Sequence, residues 1–492
     1  MSLISINHLT FRYDTSYDNI FEDVSFQIDT DWKLGLTGRN GRGKTTFLKL
    51  LMGEYECGGA IRASVPFDYF PYEIADKTRD TLAVVEETVP GLEFWKLQRE
   101  LSLLEVEEEA LYRPFETLSN GEQTKVLLAA LFLKESNFLL IDEPTNHLDM
   151  EAREKVGRYL NSKRGFILVS HDRMFLDQCV DHILSINKSG IEIQKGNFST
   201  WQQNKDRQDQ FEMAENEKLK KEIKSMAAAA RRTSDWSDRV EKTKNGTLLS
   251  GLKPDKGYIG HQAAKMMKRS KALEARQEHA MEEKSRLLKN IEAADSLSIK
   301  PRSYHSERLI EAENLSILYD GRKVVERVNF TIHAGDRIAL AGKNGSGKSS
   351  ILKLLTGEEI GFEGRLYMGS GLITSYVPQD TSFLKGSLKD FEQRESLEGS
   401  LFRAILRKLD FSRVQFEKDM TEYSEGQKKK VLIAKSLCQS AHLYIWDEPL
   451  NFIDVVSRMQ IEELLVNHKP TMIFVEHDRA FSDSVATERI FL

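Results

Sequence analysis

The sequence predicts an α/β fold class in which one domain occurs in two tandem copies joined by a long α-helical hairpin. The chain of 492 residues is too long for one ordinary domain. Blocks of sequence from the first part of the chain return about 305 positions later, which marks an internal repeat. Between the two copies lies a charged stretch with very few prolines, a composition that favours long helices.

The composition is that of an ordinary globular protein and excludes several classes. Hydrophobic residues make up 40% of the chain and charged residues 30%, and the formal net charge is −6. No run of apolar residues is long enough to span a bilayer, and the first residues lack the pattern of an export signal. The three cysteines, Cys57, Cys179 and Cys438, are too far apart for a cysteine-based zinc site or a disulfide scaffold. We therefore expect a protein of the reducing cytoplasm that is not inserted in a membrane.

Five pairs of matching blocks define the repeat. They are GRNGRGKT and GKNGSGKS, LSNGEQ and YSEGQK, FLLIDEPTNHLD and LYIWDEPLNFID, LVSHDRMF and FVEHDRAF, and LTFRYD and LSILYD. Their near-constant offset predicts a first domain at about 1–198, a linker at about 199–304 with its tip near 244–260, and a second domain at about 305–492.

The linker differs from both copies in composition. It leaves room for two helices, roughly 199–243 and 261–297, with Pro254 in the turn between them. Residues 218–271 contain 15 lysines and arginines against 5 aspartates and glutamates, so this segment is strongly basic and the rest of the chain is acidic. A basic arm of this kind favours a polyanionic partner. The alternative is the solvated face of a coiled coil.

The GxxxxGK[ST] element occurs once in each copy, between an apolar strand and an apolar helix start. This context is typical of a phosphate-binding loop, in which backbone N–H groups and the helix N-terminus surround phosphate oxygens. Lys44 and Lys348 are expected to reach the β- and γ-phosphates, and Thr45 and Ser349 to bind Mg²⁺. The predicted nucleotide-binding residues are Gly38, Arg39, Asn40, Gly41, Arg42, Gly43, Lys44, Thr45 and Thr46, and then Gly342, Lys343, Asn344, Gly345, Ser346, Gly347, Lys348, Ser349 and Ser350.

Two carboxylates follow a buried strand in each copy. The first of each pair, Asp142 or Asp447, suits the shell of a Mg²⁺ ion. The second, Glu143 or Glu448, is placed to act as a general base on the attacking water. The alternative is that each glutamate only begins a helix.

A histidine follows a further apolar strand in each copy. His171 and His477 occupy positions suited to sensing a γ-phosphate. Taken alone, such histidines are more often structural ones with satisfied hydrogen bonds. Their repetition in the same context favours the functional interpretation.

The order of these motifs resembles the nucleotide-binding domain of ABC ATPases. Two such domains on one chain, joined by a charged helical linker, resemble the ABC-F family of ribosome-acting ATPases. The segments WDEPLNFID, RNGRGKTT and MKRSKALEARQ, with the EHD switch, are similar to the Lsa and Vga group of that family.

The resemblance implies ATP and Mg²⁺ as ligands, held in a head-to-tail sandwich of the two copies. One composite site would join Lys44, Asp142, Glu143 and His171 with Ser424, Gly426 and Gln427. The other would join Lys348, Asp447, Glu448 and His477 with Ser119, Gly121 and Glu122. By the same resemblance, Tyr13 and Tyr319 would stack on adenine, and Gln379 would join the Mg²⁺ shell. Both tyrosines could instead be ordinary strand residues.

Two departures from the family pattern predict unequal sites. Tyr72 stands in the first copy where the second has Gln379, and Glu425 replaces the usual glycine of the second signature, where the first copy has Asn120. In a head-to-tail sandwich, Tyr72 and Glu425 meet at the Lys44 site. This predicts that the Lys348 site performs most of the hydrolysis, unless both substitutions are harmless.

The resemblance further implies a monomer that binds the bacterial 70S ribosome at the tRNA exit site, near 23S rRNA of the peptidyl-transferase centre and the P-site tRNA. It would protect the ribosome from lincosamides, streptogramin A and pleuromutilins. The predicted contacts are at the linker tip, through Leu248, Leu249, Leu252 and Lys253; the alternative is that these leucines pack on one another. Two other functions stay open: a housekeeping ABC-F translation factor, and the ATPase subunit of a drug exporter.

Overall fold

The computed structural model describes residues 2–13, 19–134, 137–146, 148–187, 190–243, 297–319 and 321–492. The chain divides into two units, one formed by Met1–Trp201 with Ala294–Leu492 and the other by Gln202–Ala293. The first of these units contains both copies of the repeat.

The first copy contains a three-stranded antiparallel sheet and a mainly parallel sheet, and its helices lie between the strands along the chain. Its strands are β1 Leu3–Phe11, β2 Phe21–Asp29, β3 Lys33–Thr37, β4 Gly58–Arg62, β5 Phe67–Phe70, β6 Phe138–Asp142, β7 Phe166–Val169, β8 His182–Asn187 and β9 Gly190–Lys195. Its helices are α1 Lys44–Leu51, α2 Thr81–Thr88, α3 Phe94–Leu103, α4 Asn120–Phe132, α5 Met150–Asn161 and α6 Arg173–Cys179, with 3₁₀ turns at Glu108–Tyr112 and Phe115–Thr117.

The second copy repeats this order of elements. Its strands are β10 Arg308–Tyr319, β11 Arg322–His333, β12 Arg337–Ala341, β13 Gly361–Met368, β14 Thr374–Val377, β15 Leu443–Asp447, β16 Met472–Val475 and β17 Glu488–Phe491. Its helices are α8 Lys348–Leu355, α9 Leu388–Arg394, α10 Gly399–Lys408, α11 Glu425–Cys438, α12 Val455–His468 and α13 Arg479–Val485, with 3₁₀ turns at Arg413–Glu417 and Met420–Glu422. A further helix, α7 Phe198–Thr243, lies between the two copies along the chain.

The parallel sheets place the motifs together. In the described part of the chain their strand orders are β5-β6-β7-β3-β8-β9 and β14-β15-β16-β12-β17, and only the β8–β9 pairing is antiparallel. The carboxyl ends of β3, β6 and β7 therefore meet at one edge, where open α/β sheets bind their ligands. The inner strands β6, β7, β15 and β16 are apolar because both of their faces are covered, whereas the edge strands β9 and β17 are more exposed.

Each copy has a core on either side of its parallel sheet. In the second copy, Trp446 and Tyr444 are fully buried on β15, and the indole of Trp446 donates to Ser436 on α11 at 3.0 Å. Helix α12 of the second copy also packs against the first, because Val455 and Met459 lie on the core that α4 and α5 of the first copy build. One core of the first copy therefore continues across the interface at α12.

The linker is described only in part. The helix predicted at roughly 199–243 is observed as Phe198–Thr243. The second predicted helix, the turn at Pro254 and the tip residues Leu248, Leu249, Leu252 and Lys253 lie outside the described residues, so the domain boundaries stay a prediction. Of the helices that the structure describes, none has a stretch long and apolar enough to cross a bilayer.

Candidate functional site

Both predicted phosphate loops end in a glycine that begins a helix. Gly43 before α1 has φ +91°, and Gly347 before α8 has φ +87°, a backbone region that glycine enters without strain. The lysine side chains fold back on their own loops. Lys44 Nζ donates to Gly38 O at 2.8 Å, and Lys348 Nζ donates to Lys343 O at 2.7 Å. Each ammonium group is thus held where phosphate oxygens would enter.

The predicted Mg²⁺ ligands of each copy lie side by side. Thr45 Oγ1 donates to Asp142 Oδ2 at 2.9 Å, and Ser349 Oγ donates to Asp447 Oδ1 at 3.2 Å. Asp447 Oδ2 is buried and has no hydrogen-bond partner. A buried carboxylate oxygen without a partner, beside a hydroxyl, suits a hard divalent cation that takes its other ligands from phosphate and water. The residues therefore fit Mg²⁺, which would screen the phosphate charge.

The catalytic candidates are held in strained turns directly after the strands. Glu143 has φ +50° and Glu448 has φ +46°, which is unusual for residues with a side chain. In each copy the histidine Nε2 faces the glutamate Oε1, at 3.3 Å for His171 and Glu143 and at 3.4 Å for His477 and Glu448. The structure therefore brings all four predicted catalytic residues together in two matching pairs.

The environments of the two glutamates differ. Burial raises the pKa of Glu143 to about 8, the charge of Asp142 acts in the same direction, and Arg458 opposes both. Burial alone would also raise the pKa of Glu448, but the contacts with His477 and Gln379 lower it below its ordinary value. At neutral pH the Glu448 carboxyl group is thus the more fully ionised of the two, as a general base must be before it can accept a proton.

The Lys348 site faces the signature of the first copy across a cavity of about 760 Å³. Its lining includes Lys348, Ser349, Ser350, Gln379, Glu448 and His477 from the second copy, and Ser119, Gly121 and Glu122 from the first. At its edge, Asn344 N donates to Asp149 Oδ2 at 3.4 Å, and Lys343 Nζ lies 3.6 Å from Glu151 Oε2. The predicted head-to-tail pairing of loop and signature is therefore present at this site.

The Lys44 site has the same pairing but tighter packing. Asn40 Nδ2 donates to Phe452 O at 2.8 Å, and a side chain at Gly426 would overlap that same carbonyl oxygen. The loop arginines approach Asp410 of the second copy, with Arg39 at 3.6 Å and Arg42 at 3.7 Å. The loop is thus in direct contact with the second copy, next to the signature glycine Gly426.

The signature serines cap their helices. Ser119 and Glu122 form a capping box at the start of α4, and Ser424 and Gln427 form one at the start of α11. These residues therefore shape the helix N-termini that face the opposite phosphate loops, where the helix dipole favours an anion.

Both residues behind the predicted asymmetry are turned away from the Lys44 site. The Tyr72 hydroxyl bonds to Thr88 Oγ1 at 2.5 Å, so it does not take the place that Gln379 has beside Glu448. The Glu425 carboxylate accepts from Thr381 and Lys428 within its own copy. The Lys44 site therefore lacks the amide that Gln379 supplies beside Glu448, whereas the Glu425 carboxylate is not directed at that site.

The two adenine candidates have different surroundings. Tyr13 donates to or accepts from Thr46 Oγ1 at 2.8 Å and packs edge-on against Phe11 and Tyr55. Tyr319 is 42% exposed at the end of β10. Both rings are open enough to stack on a base.

Sequence reasoning missed a tyrosine and a buried charge pair. Tyr69 donates to Asp142 Oδ2 at 2.9 Å, and nothing in its sequence context indicates that contact. In the second copy, Glu476 and Lys429 are buried near Glu448, where the first copy has Ser170 and Thr124. The change from SHD to EHD is the signal that could have pointed to Glu476.

Glu476 supports the turn that carries the second catalytic glutamate. Its carboxylate accepts from Leu450 N at 2.7 Å and from His477 N at 3.2 Å. Lys429 Nζ donates to Pro378 O at 3.0 Å, and Glu476 is the strongest of the carboxylates that stabilise its charge. The two substitutions therefore offset each other electrostatically inside the second copy.

Phosphate loops, carboxylates and switch histidines shared between two copies define a two-site ATPase. The family model described as ABC transporter matches residues 21–146 and 325–451. The ribosome protection protein VmlR of Bacillus subtilis is 27% identical over 98% of this chain and 85% of its own. The energy-dependent translational throttle protein EttA of Haemophilus influenzae is 27% identical over 95% of this chain and 88% of its own.

The solved structure of archaeal ABCE1, in complex with the ribosomal stalk protein aP1, has the same fold. It superposes with a TM-score of 0.63 at 19% identity, over 98% of this chain and 87% of its own. With two matching domains and relatives along almost its whole length, the chain belongs to the ABC transporter family and is an ABC-F type ATPase.

The Glu476→Gln substitution tests whether the buried carboxylate of Glu476 lowers the stability of the folded state. Burial raises the pKa of Glu476 to about 7 from an ordinary value of 4.5. The folded state then binds the proton more tightly, so stability falls as pH rises from about 4.5 to 7. We expect Glu476→Gln to raise the unfolding temperature relative to the parent, and by more at pH 8 than at pH 5.

The matched control for that measurement is Glu100→Gln. Glu100 is also buried, and burial opposes the net shift, but hydrogen bonds from Lys163 and Tyr159 lower its pKa. Its substitution should lower the unfolding temperature at both pH values. A Glu476→Gln effect of the same size at pH 5 and pH 8 would show that this carboxyl does not titrate in the window.

Proposed function

We propose that this ATPase binds the bacterial ribosome and protects it from antibiotics that act at the peptidyl-transferase centre. The observation that carries the proposal is the pairing of each phosphate loop with the opposite signature, in a chain whose two copies are separated by a strongly basic segment. Paired sites let ATP hold the copies together. The basic segment between the copies would supply the charge that binds a polyanion such as rRNA.

The proposed roles follow the geometry of each site. Glu143 and Glu448 act as general bases on water, and His171 and His477 position them and sense the γ-phosphate. Asp142 with Thr45, and Asp447 with Ser349 and Gln379, hold Mg²⁺. The phosphate loops bind the triphosphate, the signature helices bind its γ-phosphate from the opposite copy, and Tyr13 and Tyr319 stack on adenine.

The ribosome enters the proposal through charge and through the relatives. Residues 218–271 carry an excess of ten positive charges, enough for many phosphate contacts. One relative is named a ribosome protection protein and another a translational throttle protein. We place the linker tip, with Leu248, Leu249, Leu252 and Lys253, against 23S rRNA near the drug site, and the body at the tRNA exit site beside P-site tRNA. The protein would act as a cytoplasmic monomer.

A housekeeping translation factor is the second candidate. The throttle protein matches this chain as closely as the protection protein does, at 27% identity each. The two functions differ in one measurable way, which is whether added protein restores translation in the presence of drug. An exporter subunit is less well supported, because a basic segment between the two ATPase copies has no evident use there.

Cosedimentation with ribosomes tests the partner. The double variant Glu143→Gln/Glu448→Gln should bind ATP, hydrolyse it poorly and remain on 70S ribosomes. Without hydrolysis the two copies stay together around the bound ATP, and the protein is not released. The matched control is Glu192→Gln, an exposed glutamate on β9, which should behave as the parent does. Loss of ribosomes from the pellet with the double variant, while ATP binding persists, would contradict the proposal.

Single variants test whether the sites are unequal. Glu448→Gln should remove most of the steady-state turnover, because the lowered pKa of Glu448 keeps it ionised at neutral pH, while burial raises the pKa of Glu143 and favours its protonated form. General bases contribute about 10²–10⁴-fold, so the loss is easily measured. Glu143→Gln should cost distinctly less. Equal losses would mean that the different environments of the two carboxylates have no effect on turnover.

Replacing the tip tests protection. With a short Gly-Ser loop in place of residues 245–258, ATPase activity and expression should be retained while translation in lincomycin is no longer rescued. A triple Leu→Ser variant at Leu248, Leu249 and Leu252 should lose rescue as well, whereas the matched triple Leu→Met variant should keep most of it. Full rescue by the Gly-Ser variant would refute the role of the tip.

A further inference from the structure

One arginine connects the loops that carry His171 and His477, which we call the switch loops of the first and the second copy. Arg153 lies on α5 of the first copy and is 7% exposed. Its Nη1 donates to Asp172 Oδ2 of its own copy at 3.0 Å and to His477 O of the second copy at 3.2 Å. Its Nε donates to Leu148 O at 3.0 Å. A single guanidinium therefore bridges three loops.

Each of these loops belongs to an ATP site. Asp172 follows His171, which faces Glu143, and His477 faces Glu448. Leu148 lines the cavity of the Lys348 site. The contacts run without a gap from the general base of one site to that of the other.

The equivalent arginine of the second copy is not used in this way. Arg458 Nη1 donates to Asp478 Oδ2 at 3.1 Å, and its Nε donates to Ile453 O at 2.8 Å. Within the described ranges, these hydrogen-bond partners all lie in its own copy. The hydrogen-bonded bridge is therefore one-sided and joins the first copy to the loop of His477 in the second, whereas Arg458 acts on Glu143 of the first copy through its charge.

We propose that Arg153 is a positioning residue for hydrolysis at the Lys348 site, acting from the first copy through the carbonyl of His477. The inference rests on the proposed roles of Glu143 and Glu448. A planar guanidinium can donate in several directions at once, which a lysine ammonium cannot do with the same geometry. The position of Asp172 in the first copy thereby determines how His477 is held in the second.

The bridge has a direct consequence for turnover. His477 reaches Glu448 in the orientation described only while the two copies are packed together and Arg153 is anchored by Asp172. Separation of the copies breaks the contact between Arg153 and His477. A shift of the first switch loop moves Asp172, which holds Arg153 in place. Either event should slow the chemistry at the Lys348 site without removing any group that binds ATP there.

The test measures hydrolysis at the Lys348 site in the Glu143→Gln background, where the other site is silenced. Arg153→Lys keeps the charge but loses the bridge. We expect kcat to fall about tenfold, the size of effect typical of one hydrogen bond from a charged donor, while KM for ATP changes less than twofold. Asp172→Asn should lower kcat similarly, and the combination should cost no more than either change alone.

The matched control uses the Lys44 site, measured in the Glu448→Gln background. Glu154→Gln, at an exposed neighbour of Arg153 on α5, should leave that site within twofold, whereas Asp172→Asn should lower both sites. Should Arg153→Lys fold poorly, the pair Asp172→Asn and Glu154→Gln decides the question by itself. Unchanged Lys348-site kcat in the variants of Arg153 and Asp172 would overturn the inference.

The proposed bases can fail separately from this inference. If Glu143→Gln/Glu448→Gln hydrolyses ATP at the parental rate, the bases are wrongly assigned. If that double variant is inactive but Arg153→Lys and Asp172→Asn leave the Lys348 site unchanged, only the bridge is refuted.

Discussion

The constraint on which the structure depends is that a phosphate loop supplies only half of a site. The loop and its helix bind phosphate from one side, and the N-terminus of the opposite signature helix must supply positive potential from the other. Both halves therefore have to be positioned to within a few ångströms. The apolar contact of Val455 and Met459 with the first core sets this position, because it fixes α12 and the turn before it. The elements at the interface thus serve to hold each phosphate loop close to the signature helix of the opposite copy.

The carboxylates are the most costly feature of the arrangement. Asp447 is fully buried with one oxygen unpartnered, and Glu143 and Glu448 adopt left-handed backbone angles. Buried acids and strained turns persist only where the surrounding packing determines them. Here the strands β6 and β15 supply that packing. The strain is concentrated where negative charge must be kept ready for a cation and a phosphate, so the same groups that destabilise the fold prepare it for chemistry.

Local patterns predicted the elements and motifs well, whereas contacts across the interface were not predictable. The strand–loop–helix context of Lys44 and Lys348 and the strand ends at Asp142 and Asp447 depend on short stretches of sequence, and the structure has them where they were expected. The contacts of Asn40 with Phe452 and of Arg153 with His477 join residues more than 300 positions apart, so no periodicity encodes them. The Glu425 carboxylate expected near the γ-phosphate is not found there, because it accepts from Thr381 and Lys428 in its own copy. A pattern gives the residue at a position but not the direction of its side chain.

The two copies differ through linked substitutions. In the first copy, Lys155 neutralises Glu105, whereas in the second Gln460 stands in place of that lysine. Asp410, the counterpart of Glu105, instead faces Arg39 and Arg42 across the interface. A contact within one copy is thus exchanged for a contact between copies at the Lys44 side, while Lys343 and Glu151 make a contact between copies at the Lys348 side. A further contact between the copies is made by Arg153 of the first copy, which donates to the carbonyl of His477 in the second. Duplication therefore produced two sites with the same catalytic groups, which differ in the environment of the glutamate and in the contacts that cross the interface.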